Sequence, residues 1–291
     1  MQIRRRCRPH DVALETTLLA HGVPREAAPA LLDDLRAAVR EGSGGASEGV
    51  AVGVVGGVPT VGITADELSG FLAGEPPIKV NTSNLSLAVH RGLDAATTVS
   101  TTMELAAGAG LRVFATGGIG GVHRGYGSRL DISSDLTALT RFPITVVASG
   151  VKSILDVVST REALETLGVP VVGFRTDSFP AFYLRGSDAG VDARFDDASD
   201  LAAFVRLHTN RSNTGVLIAN PIQEDAEIAE SDWSSWLAEA EARAGDADGR
   251  DATPAVLAAL HEVSDGATLR ANIALAISNA RLAGAISGAT A

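Results

Sequence analysis

Lysine is almost missing from this chain: Lys79 and Lys152 stand against twenty-two arginines. Where a fixed positive charge suffices, the sequence uses arginine, whose guanidinium stays protonated at ordinary pH. A lysine amine can instead be desolvated, lose its proton and attack a carbonyl. Two retained lysines point to one Schiff-base nucleophile and one compact phosphate or carboxylate contact; the plain alternative is a pair of surface residues in an arginine-rich composition. Cysteine is scarcer still. A lone Cys7 excludes an internal disulfide framework and a cysteine-based zinc site. Positive charge is in deficit overall, with a net −11 and a pI near 5. That balance, without a basic stripe, argues against nucleic acid as the main partner. Long apolar runs are absent too: the most apolar stretch, Val50 to Ile63, is interrupted by glycines and a proline and is too short to span a bilayer. The basic start is followed by Pro9-His10-Asp11 instead of an apolar segment, so residues 1–10 are expected to form a flexible arm and not a secretory signal. A soluble cytoplasmic protein is the expectation.

What is present is ample material for a core: 45% hydrophobic residues, 20% charged, and 31 glycines spread along the chain. Residues 1–291 are expected to form a single α/β catalytic domain. Helical spacing marks 25–40, 84–90, 97–107, 154–167, 197–207, 224–244 and 268–286. β-rich runs at 50–55 and 58–63 flank Gly56-Gly57, a hairpin signal. Short apolar runs at 111–116, 144–148, 169–174 and 216–219 read as buried strands, and 244–253 reads as a flexible linker. Strand–helix alternation with short connections predicts a largely parallel or mixed sheet covered by helices on both faces. In such sheets ligands bind beyond the carboxyl ends of the strands. Three polar loops fall there: the glycine loop 117–125 after Thr116, the turn carrying Lys152 after Ala148, and Asn220-Pro221 after Ala219.

Lys152 leaves a run of apolar residues, where an amine loses hydration of its charged form and its pKa should fall. The alternative is a lysine capping a sheet edge. The glycine loop lacks a regular dinucleotide-binding context; it could present N–H groups to an anion or simply pass close to another loop. His123 within it is a candidate base or ligand, or a hydrogen-bonded structural histidine. Asp131 and Asp135 flank Ser133 and Ser134, oxygen donors that suit Mg²⁺ or Mn²⁺, with helix capping as the alternative. Glu15, beside apolar residues, is a candidate general acid or an exposed helix residue. Phe179 to Tyr183 holds three of the ten phenylalanines and tyrosines, suited to a pocket wall, an interface or the core.

The stretches 13–17, 116–125, 131–136, 150–156, 177–183, 219–222 and 271–275, in that order, resemble the pseudouridine-5′-phosphate glycosidase family, also called indigoidine synthase A-like. Members break the C–C bond between ribose C1′ and uracil C5, reversibly, giving ribose 5-phosphate and uracil. The resemblance implies a covalent imine at Lys152, proton donation by Glu15, and substrate binding by Lys79, Val99, Ser133, Ser134 and Asp135. It further implies Mn²⁺, or another divalent cation, at Asp131, base-facing roles for His123 and Asn272, and a homotrimer. On this division of labour Lys152 must be able to lose its proton, while Lys79 keeps its own. One departure stands out: after Lys79, where the family has basic residues and an aspartate, this chain has Val80-Asn81-Thr82-Ser83-Asn84. A divergent subgroup joins ribose 5-phosphate to an aromatic polyketide. The departure makes such a C-ribosylation, with a phosphosugar donor and an aromatic acceptor, the leading expectation; cleavage of the uracil nucleotide is the alternative.

Overall fold

Alternation of apolar residues with a period of two builds the centre of the molecule. In the computed structural model, which describes residues 2–128, 130–244 and 252–289, the strands are β1 (Arg4–Arg5), β2 (Val12–Glu15), β3 (Gly49–Val55), β4 (Val58–Val61), β5 (Ile78–Val80), β6 (Ala95–Thr97), β7 (Val113–Ala115), β8 (Thr145–Ala148), β9 (Val171–Phe174), β10 (Ala193–Phe195) and β11 (Val216–Ala219). The helices are α1 (Thr17–His21), α2 (Ala28–Gly42), α3 (Ala65–Leu72), α4 (Leu85–His90), α5 (Val99–Ala109), α6 (Ser134–Arg141), α7 (Val157–Thr166), α8 (Ala198–Arg211), α9 (Glu230–Ala244), α10 (Ala252–Val263) and α11 (Ala267–Gly288).

One sheet runs in the order β1-β4-β3-β2-β7-β8-β11-β9-β10, with β6 beside β3 and β5 beside β6. Its pairs are parallel except β3 with β4 and β3 with β6, so the sheet is mixed but mostly parallel. Val12, Leu14, Val113, Ala115, Val147 and Ile218 point to one face, where α2, α8, α9 and α11 supply the other half of the core. Ala13, Phe114, Val146, Ala148 and Leu217 point to the opposite face, against α4, α5, α6 and α7. Both faces are therefore buried, as the near-continuous apolar runs of the central strands require. The hairpin forms where Gly56 and Gly57 supply the positive φ values that its two-residue turn needs.

Several expectations are corrected. Residues 4–6 are not part of a loose arm: Arg4 and Arg5 pair with β4, and the Arg6 N–H donates to the Val61 carbonyl at 2.8 Å. Arg4 and Arg6 also grip Glu67, 3.0 and 2.6 Å away. Thr97 ends a strand and does not begin a helix, because its hydroxyl is spent on the Val52 carbonyl at 2.7 Å. α7 starts at Val157, where Asp156 caps the Ser159 N–H, and not at Ile154. The acidic stretch from Glu224 is a short 3₁₀ turn followed by α9. The expected linker falls mostly on 245–251, outside the described residues. Among the described residues no helix is long and apolar enough to cross a membrane.

Candidate active site

Four neighbouring strands, β2, β7, β8 and β11, end on one side of the sheet, and a polar residue stands at each end: Glu15, Thr116, Ser149 and Asn220. Glu15 is held there by hydroxyl groups. Pairing of β2 with β3 stops at Val52, and beyond it Thr16 Oγ1 and Thr97 Oγ1 both donate to the Val52 carbonyl, at 2.8 and 2.7 Å. The Thr97 N–H donates to Thr16 Oγ1, and Thr17 Oγ1 to the Thr97 carbonyl. The residue is strand-terminal, which removes the exposed-helix alternative. Thr116 Oγ1 donates to Glu15 Oε1. Burial raises the Glu15 pKa, with Asp135 adding to it, while Lys152, the Thr116 hydroxyl and Lys79 oppose it. The acid form therefore persists to higher pH than in an ordinary glutamate.

The turn carrying Lys152 is zipped to the glycine loop. The Ser149 N–H donates to the Gly117 carbonyl, Ile119 N–H to Gly150, and Lys152 N–H to Ile119, at 2.9 to 3.1 Å. Gly150 has a φ of +72°, and a Cβ there would overlap the Pro180 carbonyl, so only glycine lets the turn lie this close to the following segment. That segment supplies a buried wall and not an exposed interface: Phe179, Phe182 and Tyr183 are buried, with Phe182 and Tyr183 edge-to-face at 4.8 Å.

Asp135 is the second anchor. One carboxylate oxygen accepts from the Ser100 N–H at 2.9 Å and the other from Gly120 at 2.8 Å. Ser133 Oγ accepts from the Asp135 N–H and caps α6, while Ser134 Oγ lies 3.0 Å from Ser100 Oγ. The N-termini of α5 and α6 and the glycine loop therefore meet at one point. Val99 opens α5, and the Thr98 N–H holds that helix start to the Val80 carbonyl at 3.0 Å, next to Lys79. Lys79 is an exposed residue at the rim. Crowding of its ammonium by protein, then the charge of Lys152, lowers its pKa; Glu15 and Asp135 oppose. Glu15, Lys79, Asp135 and Lys152 thus share one electrostatic neighbourhood.

The remaining candidates lie around this cluster. His123 and Asp131 form a more exposed pair, Nδ1 to Oδ2 3.7 Å, and the His123 N–H donates to the Asp131 carbonyl. Among the described residues no group of three or more His, Cys, Asp or Glu is assembled for a metal. A divalent cation here would have one protein carboxylate, from Asp131, and would complete its shell with water or substrate oxygens, which suits hard cations of the Mg²⁺ and Mn²⁺ type. Asn272, on α11, sets its Oδ1 against Gly117. The segment after Lys79 closes on itself: Asn81 Oδ1 accepts from the Ser83 N–H and hydroxyl, and Asn84 Oδ1 accepts from the Asn81 N–H. It contributes no cation. His21 stands nearby instead, its Nε2 2.9 Å from the Pro77 carbonyl. Burial lowers its pKa, the Pro77 bond opposes, and Lys79 and Arg25 lower it further. Thr116, His21 and the buried Asn279 were not singled out from sequence. For Asn279 a signal existed: it lies seven residues from Asn272, on the same side of a helix of small apolar residues.

A lysine and a half-buried acid stand beside helix N-termini at the carboxyl edge of a mostly parallel sheet, where ligands bind in sheets of this kind. The chain belongs to the indigoidine synthase A-like family, whose model matches residues 6–289. A pseudouridine-5′-phosphate glycosidase of Dinoroseobacter shibae is 43% identical over 279 residues, covering 94% of this chain and 89% of its own. Another, from Nocardioides sp., is 42% identical, with 94% and 90% covered. Among solved structures, an indigoidine synthase A-like protein from Thermotoga maritima superposes with a TM-score of 0.89 at 35% identity, covering 98% and 95% of the two chains. The prealnumycin C-glycosynthase AlnA, in complex with ribulose 5-phosphate, gives 0.87 at 35% identity, covering 96% and 91%. The protein is an enzyme of this glycosidase and glycosynthase family.

Proposed function

We propose that the enzyme cleaves pseudouridine 5′-phosphate reversibly to uracil and ribose 5-phosphate through an imine on Lys152. The observation that carries this reading is a protonatable Glu15 in the same buried neighbourhood as the lysine. Relatives named for this activity at 42–43% identity over nearly the whole chain support it over C-ribosylation. In the forward direction the neutral Lys152 Nζ bonds to C1′ as the C1′–O4′ bond opens, and O4′ becomes a hydroxyl by taking the proton that the attacking nitrogen gives up. The nitrogen lone pair then forms C1′=N as the C1′–C5 bond breaks. Glu15 gives its proton to C5 of the departing uracil, and water hydrolyses the imine to return the lysine. A carbon leaving group is poor, so the iminium provides the electron sink that the reaction needs.

Lys79, the first-turn amides at Val99 and the Ser133 and Ser134 hydroxyls would receive the phosphate, where two helix N-termini converge. Arrival of a dianion would reverse the mutual repulsion of the two lysines and hold Lys79 charged. Asp135 braces this pocket through backbone N–H groups, with Asn272 and His123 at the base end. Asp131 would hold a hydrated divalent cation, which neutralises nearby negative charge when bound.

C-ribosylation of an aromatic acceptor is the second reading, favoured by one observation: the neutral, self-bonded Asn81–Asn84 turn stands where a uracil-nucleotide enzyme of this kind has basic residues. Incubation with pseudouridine 5′-phosphate decides between them. Uracil release with catalytic turnover supports cleavage; a trapped ribose 5-phosphate imine without uracil release shifts the assignment to synthesis.

A further inference from the structure

Asn279 has no exposed surface, and its amide joins three of the four strand ends that build the site. Its Nδ2 donates to the Thr116 carbonyl at 2.8 Å and to Ser149 Oγ at 3.1 Å, with the Gly117 carbonyl at 3.3 Å. Its Oδ1 accepts from Asn220 Nδ2 at 2.8 Å. Both N–H groups and the carbonyl are thus in use, which is the full capacity of the donor side. The neighbours on this side of α11, Ala276, Ala280 and Ala283, are buried and apolar. A buried amide gains little net stability over an apolar side chain of the same shape, yet leaves several groups unpaired if it is lost. Packing alone does not call for it.

Its partners show what it controls. Thr116 carries the hydroxyl that bonds Glu15, and Asn279 fixes the carbonyl of that same residue. Ser149 opens the turn that ends in Lys152, and its own carbonyl accepts from the Phe182 N–H at 2.9 Å. We propose that Asn279 is a positioning residue that sets the spacing between the Glu15 acid and the Lys152 amine through Thr116 and Ser149. It touches no reacting atom, and the inference rests on the proposed reaction.

Asn279→Asp tests it. The buried carboxyl keeps the shape and the acceptor for Asn220 but carries at most one O–H where the amide has two N–H groups, so the Thr116 carbonyl and Ser149 Oγ are no longer both held. Steady-state uracil release from pseudouridine 5′-phosphate is measured for wild type and variant, alongside the rate of the borohydride-trapped adduct with ribose 5-phosphate and the circular dichroism of each. The expected result is a kcat lower by roughly a hundredfold, the cost of about 1 Å of misplacement, with a native spectrum. KM should stay within about threefold, because the phosphate contacts are elsewhere. A merely structural role would lower the melting temperature and leave the kcat of the folded fraction unchanged, which overturns the proposal. If the variant loses its native spectrum, Ser149→Ala carries the test: kcat reduced about tenfold at constant KM is expected, and an unchanged kcat overturns it. Wild-type enzyme that neither releases uracil nor traps an adduct overturns the reaction and this role together. Active wild type with an unimpaired Asn279→Asp overturns the positioning role alone.

Discussion

Replacing Thr116 by valine removes a single hydroxyl and should move the pH profile in a direction that the structure fixes. Thr116 is buried, and its Oγ1 donates to Glu15 Oε1. A hydrogen bond to a charged group contributes about 1.5–3 kcal/mol, and this one favours the ionised form of Glu15, so its loss should raise the Glu15 pKa further. The sign follows from the role: the proton donor is active when protonated, so turnover falls as pH rises through its pKa. Burial already raises that pKa, and the hydroxyl is one of the groups opposing the rise. Thr116→Val should therefore shift the falling limb of kcat against pH to higher pH. The assay is uracil release across a pH series at saturating substrate, with Glu15→Gln as the control that should lose the limb and most of the activity. A limb that stays in place, or moves to lower pH, refutes the assignment of that limb to Glu15.

Lys79→Arg keeps the positive charge at the rim and should raise KM about tenfold while leaving kcat nearly intact, whereas Lys152→Arg should abolish turnover; steady-state kinetics with equal loss in both variants would contradict the division of roles. Glu67, gripped by Arg6 and Arg4, has its pKa lowered from 4.5 to about 2, with the Arg6 hydrogen bond as the main cause. A depressed carboxylate stabilises the fold above its unfolded pKa, and that contribution is lost as pH falls from about 4.5 to 2. Thermal melts should show wild type above Glu67→Gln by about 1 kcal/mol at pH 6, given half-exposed arginines, with the gap closing by pH 2. A gap that is constant with pH would show that the ion pair does not anchor the amino-terminal strand.

The sheet was largely legible because burial of both faces writes apolar runs that local pattern can find, as in 144–148 and 216–219. β2, β5 and β6 were not, because pairing with strands distant in sequence defines them. The turn carrying Lys152 was legible from the apolar run before it, which forms β8. Thr116 was read only as the end of a strand, since its contact with Glu15 depends on the register that sets Leu14 against Ala115. The spacing of Asn279 from Asn272 sets both on one side of α11, but its bonding partners lie 59 to 163 positions away and leave no local trace. The amino-terminal arm was misread for the same reason: the groups that hold it, Val61 and Glu67, lie more than fifty residues downstream and neutralise the arginines that made it look unattached.

The central claim is the covalent imine, and borohydride reduction in the presence of ribose 5-phosphate tests it most directly. Peptide mass analysis should find one stable adduct, on Lys152, lost in Lys152→Arg and retained in Lys79→Arg. An adduct on Lys79, or none on the active enzyme, would contradict the mechanism.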